Sequence, residues 1–166
     1  MSVVDAVITL FLENAAKAAA VVHRAAGAKE LRSILSEIVA PDADVYCPGV
    51  TELEKTAATD LARLVPGYVS AQVTVEEVSA AVAETGSIVC ASSGGKAVQA
   101  SLLPAHHVAI VPANRIFATL DDFFAGQVAP PPTNLTIITG PSRTADIELN
   151  LVIGVHGPER LDIIVV

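Results

Sequence analysis

Val3, Val4, Val7, Ile8, Phe11, Leu12 and Ala15 return every three or four residues, which is the period of one helix face. The pattern predicts a helix from Val3 to Lys17, and the Ala-rich sequence after it favours the same conformation. Ala20-Val21-Val22-His23-Arg24 reads as a short strand. Gly27 breaks the run, and Leu31, Ile34, Leu35 and Ile38 mark the buried face of a second helix over Ala28 to Val39, stopped by Pro41. Asp44 to Cys47 is a strand candidate. Thr51 is placed to cap a third helix with an acidic first turn, with Leu53, Leu61 and Leu64 facing inward and Pro66-Gly67 as its end.

In the middle of the chain, Thr74 and Glu77 have capping-box spacing, which predicts a helix over Val75 to Val82. Ile88 to Ala91 and His107 to Val111 read as buried strands, and Thr119 opens a short helix. Gly126 to Asn134, with three consecutive prolines, is a surface connection. Leu135 to Thr139 is an apolar strand cut by Gly140-Pro141. Ala145, Ile147, Leu149 and Leu151 alternate like a strand, while Ile147, Leu151 and Val155 match a helix face. The Gly140-Pro141-Ser142 lead favours a short helix there. Leu161 to Val166 is a further strand. Strands alternating with helices at this pace predict a three-layer α/β fold with a mostly parallel central sheet.

Length and composition narrow the class. At 166 residues one domain is expected, over residues 1–166. Aromatic residues are 4% and Trp is absent, so the core must be aliphatic. The net charge of −8 argues against a nucleic-acid backbone as partner. No unbroken apolar run has the length of a membrane span, and no secretory signal stands at the N-terminus, so the expected location is cytoplasmic. The two cysteines, Cys47 and Cys90, are too few for a four-thiolate cluster or a four-cysteine zinc site.

Several polar residues sit where α/β sheets place their chemistry, just past strand ends. Glu84 precedes a tight Thr85-Gly86 turn and has the character of a nucleophile or base, or of a carboxylate held in an ion pair or by hydrogen bonds from turn amides. Gly86 is placed for a positive φ. His106 and His107 must point to opposite faces of their strand. Ser142, Arg143 and Thr144 form an anion-binding candidate, with Asp146 and Glu148 close behind. His156 lies in a second glycine-bounded loop, Gly154 to Pro158. Ser92-Ser93-Gly94-Gly95-Lys96 is similar to part of a phosphate nest. Cys47, before Pro48-Gly49, is a candidate reactive thiol, whereas Cys90 reads as a small core residue. The spacing of common metal motifs is missing, so no metal site is expected.

The strings Glu84-Thr85-Gly86, Ser101 to Pro104 with His107 after it, Gly140-Pro141-Ser142-Arg143-Thr144-Ala145-Asp146-Ile147-Glu148 and Gly154-Val155-His156-Gly157-Pro158 together resemble the LUD domain family, in its LutC type. The resemblance covers roughly residues 5 to 166. It implies a fold similar to the NagB/RpiA/CoA-transferase-like group. It also implies a part in oxidising L-lactate to pyruvate beside two partner proteins that carry the iron–sulfur ligands, with no cofactor intrinsic to this chain. On this reading the further N-terminal segment of LutC-type chains is absent or abbreviated. Glu84, His156 and Asp146 are then the catalytic candidates. Gly86, His107, Ser142, Arg143, Thr144 and Glu148 are candidates for binding a small carboxylate or phosphate. Three roles stay open: a non-cluster subunit with a partner surface or small-anion pocket, a stand-alone relative of CoA-transferases or sugar-phosphate isomerases, and a scaffolding protein with a vestigial pocket. A homo-oligomer is compatible with each.

Overall fold

The computed structural model of the chain describes residues 2–127, 130–145, 151–153 and 157–166, with residues 144–145 and 151–153 described by backbone alone. Its helices are α1 (Val3–Lys17), α2 (Ala28–Ile38), α3 (Glu52–Ala58) and α4 (Leu120–Ala125). The strands in the first half of the chain are β1 (Val21–Arg24), β2 (Val45–Tyr46), β3 (Val73–Glu77), β4 (Ala80–Val82) and β5 (Ser87–Ala91). Those in the second half are β6 (His106–Val111), β7 (Ile116–Phe117), β8 (Leu135–Ile138), β9 (Arg143–Ala145), β10 (Leu151–Ile153) and β11 (Arg160–Val165).

A parallel sheet in the order β1-β11-β6-β3-β2 forms the middle of the molecule. One of its faces carries Val45, Val73, Val75, Val108, Ile110 and Ile164 and is covered by Leu31 and Leu35 of α2 and by Ala57 of α3. On the other face, Ala109, Val111, Ile163 and Val165 pack against Ile8, Phe11 and Ala15 of α1 and against Ile88 and Cys90 of a second sheet. That second sheet runs β7-β4-β5-β8 and is closed on its far side by Phe123 of α4. The result is a three-layer α/β fold with a mostly parallel central sheet, as the alternation of elements predicts. Among the described residues no helix is long and apolar enough to cross a membrane.

Local chemistry explains most of the boundaries. The Ser2 hydroxyl accepts from the Asp5 amide and starts α1, and Thr51 does the same for the Glu54 amide at the start of α3. Thr51→Ala should therefore cost about 1 kcal/mol, read as a lowered urea midpoint with an unchanged slope.

Three expectations fail. Residues 75–82 form β3 and β4, not a helix capped by Thr74. The β-branched Val73, Thr74 and Val75 are buried between layers, and tertiary pairing overrides the capping-box spacing. The segment from Arg143 begins as a strand, because β9 pairs antiparallel with β10 and the alternating reading of Ala145 and Leu151 wins over the helical one. Helix α3 stops at Ala58, and Leu64 is left exposed.

Candidate functional site

Two of the predicted loops meet. The Ser142 amide donates to Pro158 O at 2.8 Å, and Gly157 packs on the Ser142 side chain. Beside them, the Ser87 hydroxyl is shared with Thr85 at 2.7 Å and Thr139 at 2.6 Å, so the turn before β5 touches the end of β8. Gly86 has φ +66°, and a Cβ there would lie 2.2 Å from Ala15 N. Gly140 has φ +72°, and its Cβ would lie 2.1 Å from Ala18 O. Both glycines thus let separate segments press against the C-terminal end of α1. Arg143 is exposed on β9 beside Ser142. The side chain of Thr144, together with Asp146, Glu148 and His156, lies outside the described residues.

Glu84 reaches a neighbouring element and not the amides of its own turn. Its carboxylate is exposed and accepts the Leu120 amide at 2.6 Å, at the N-terminus of α4. Asn14 of α1 donates to the Ala83 and Glu84 carbonyls at 2.9 and 3.2 Å. Glu84 thus serves as an acceptor that joins α4 to the turn.

His106 and His107 do face opposite sides. His106 Nε2 is 2.7 Å from Asp162 Oδ2, and His23 Nε2 is 2.8 Å from Asp162 Oδ1. Arg160 Nε donates to the same carboxylate at 2.6 Å. Asp162 is fully buried. Burial raises its pKa, but the bonds from His106, Arg160 and His23 outweigh burial and hold the carboxyl well below the usual range. Sequence reasoning passed over Asp162, although an acid among Leu161, Ile163 and Ile164 marks a place where a strand needs a charge.

A second buried group occupies the other face and the end of β3. Glu54 is fully buried and fully paired. Its Oε2 accepts the Val50 and Thr51 amides at 2.8 and 3.2 Å, while its Oε1 accepts the Glu77 amide at 2.9 Å and lies 2.6 Å from Lys96 Nζ. Lys96 also donates to the Glu77 carbonyl, so its ammonium points inward instead of serving an anion at the Ser92 to Gly95 turn. His107, 1% exposed, stands 3.0 Å from Glu76, which accepts from Ser101. Burial raises the Glu76 pKa, but His107, Ser101 and Lys96 together bring it below its ordinary value. The Cys47 thiol donates to Glu54 O at 3.4 Å and is pushed up to about 11, chiefly by burial, so it is a poor nucleophile at neutral pH. The sequence expectation of a reactive Cys47 is corrected by that environment.

Next to this group opens a cleft of about 620 Å³. Its wall is mainly Phe117, Phe123, Leu135 and the Pro130 to Pro132 run, with Ser92, Asn114 and Arg115 among its polar points. Arg115 reaches inward to Glu77 Oε1 at 2.8 Å and keeps about half of its side chain exposed. An apolar wall with one guanidinium suits a small organic anion.

Residues 66–166, more than half of the chain, match the LUD domain family. The chain belongs to the LUD domain family. Relatives that it resembles are of the LutC type. It is 36% identical over 114 residues to lactate utilization protein C of Halalkalibacterium halodurans, across 65% of this chain and 50% of that protein. It is 42% identical over 90 residues to the protein of the same name from Macrococcus caseolyticus, across 51% and 39%. The chain therefore spans half or less of the length of these curated relatives. The crystal structure of a DUF162 family protein from Deinococcus radiodurans superposes with TM-score 0.70 at 20% identity over 99% of both chains, which supports the three-layer fold. The LUD match begins just before β3. Helix α1, on which Gly86 and Gly140 rest, and strands β1 and β2 therefore precede the matched part of this LUD protein.

Proposed function

We propose that this LUD protein is a LutC-type component of a lactate-utilization system, a subunit without an iron–sulfur cluster that works beside cluster-bearing partners and binds a small carboxylate. The observation that carries the ligand part is Arg115, half exposed at the cleft and oriented by the buried Glu77. Two cysteines, one of them deep in the core, support assigning the cluster to a partner. The likeness to the NagB/RpiA/CoA-transferase group belongs to this proposal as well. The engagement of Glu84 with the Leu120 amide favours a binding subunit over an enzyme that uses Glu84 as nucleophile.

Calorimetric titration of lactate, pyruvate, a sugar phosphate and CoA into wild type, Arg115→Ala and Arg143→Ala is the test. A small carboxylate should bind wild type and weaken by about tenfold or more in Arg115→Ala, the loss of one charge-assisted contact. Binding that survives in Arg115→Ala but disappears in Arg143→Ala would move the anion site to the loop after Gly140. Silence from all four compounds with wild type would overturn the ligand reading.

A further inference from the structure

Three buried side-chain atoms among the described residues lack a hydrogen-bond partner: Thr74 Oγ1 and both ring nitrogens of His107. They are neighbours, because Thr74 and His107 are register partners on β3 and β6 and so share a face. His107 Nε2 comes within 3.0 Å of Glu76 Oε1, yet the ring N–H does not align with that oxygen. An imidazole with both nitrogens idle in a dry core is costly, since each unmet donor or acceptor forfeits its hydration. On the same side, Cys90 of β5 brings its Sγ to the pair. One oxygen of Glu76, the Cys90 Sγ and one ring nitrogen of His107 lie within 4.8 Å of one another, and all three residues are buried.

We propose that Glu76, Cys90 and His107 form a buried site for a divalent transition-metal ion of the zinc type. The donor set is one thiolate, one imidazole and one carboxylate, which zinc accepts together and which calcium or magnesium does not favour. Ligands of a tetrahedral zinc stand about 3.3–3.7 Å apart, given bonds of about 2.0–2.3 Å, so shifts well under the present spread would close the site. Charge balances as well. Zinc binding breaks the Cys90 S–H bond, forms Zn–S and sends one proton to solvent. The thiolate and Glu76 carboxylate then neutralise the ion, which a buried site requires. The Cys90 thiol, pushed up to about 12 by burial, is a poor acid without such an ion. Ser101, which donates to Glu76, holds the carboxylate in place, and Thr74 shares the strand face of His107. The competing arrangement is a metal-free His107–Glu76 ion pair.

Because the residues are enclosed, the ion would load during folding. The full chain is therefore expressed with zinc in the medium, and separately refolded from urea with cobalt(II) or zinc. Wild type and Cys47→Ala should each retain about one ion per chain after gel filtration, show thiolate-to-cobalt charge-transfer absorption, and melt roughly 5 °C or more above the metal-free protein. Cys90→Ala keeps a small apolar side chain in the core and should fold, with the native circular-dichroism spectrum, while losing the charge-transfer band and most of the bound ion. His107→Gln should lose the ion too. Metal-free wild type after both routes overturns the site and leaves the ion pair. Undiminished metal in folded Cys90→Ala overturns it equally.

Discussion

Gly86→Ala should lower the unfolding free energy by about 3 kcal/mol or more, the sum of left-handed backbone strain and forced overpacking. The residue sits at φ +66°, and the added Cβ would lie 2.2 Å from Ala15 N and 2.4 Å from Asn14 C. Those atoms are helix backbone, so no side-chain rotation relieves the clash. Helix α1 or the turn before β5 must move, and either motion disturbs Asn14, whose amide bonds the Ala83 and Glu84 carbonyls. Gly94→Ala is the control. Its φ is +59°, but the space around its Cα is open, so only the backbone term of about 1 kcal/mol applies. Urea unfolding of both variants separates the two terms. Equal losses would remove the packing argument and leave φ alone as the reason for glycine at position 86.

Asp162→Asn should cost about 3 kcal/mol at neutral pH, toward the lower end for breaking a buried charged network because Arg160 is half exposed and screened. The loss has a pH signature. The Asp162 carboxyl is held below its ordinary value in the fold. Its contribution is therefore complete above the unfolded-state pKa of about 4 and disappears as pH falls from there toward the lower folded-state value. Wild type should lose stability through this acid window faster than Asp162→Asn does, so the difference between them narrows. Unfolding in urea at a series of pH values from neutral to about 3 measures it. A difference that stays constant over that range, or an asparagine variant as stable as wild type, contradicts the linkage.

The sequence made the layers legible because periodicity reports burial. The stripe from Val3 to Ala15 became α1, and the apolar runs at His107 to Val111 and Leu161 to Val166 became two of the inner strands, β6 and β11. Caps at Thr51 and Thr119 were readable because their chemistry is local. What failed was settled by distant partners. Thr74 and Glu77 look like a helix start only while β6 is out of view, and Glu76 looks like a surface acid until His107 and Ser101 close on it. The polar clusters were hidden for the same reason. Asp162 meets His23 across 139 positions of sequence, and Glu54 meets Lys96 only after the three strands between them have been arranged. Gly86 could be suspected of positive φ from its turn, but that it and Gly140 both lean on one helix is a fact of three dimensions.

The order of strands in the central sheet bears on how the chain is made. Among the described residues strand β1 has one sheet neighbour, β11, whose paired residues are synthesised well over a hundred positions after it. During translation β1 can have α1 beside it but no ladder to join. When β11 arrives it must slot between β1 and β6, two strands already made, and satisfy both edges at once. Closing such a long loop is entropically slow. Until then, the apolar faces of β1 and β6 and their open backbone groups are available to other chains. A nascent protein of this topology is expected to depend on chaperones more than its finished stability would suggest.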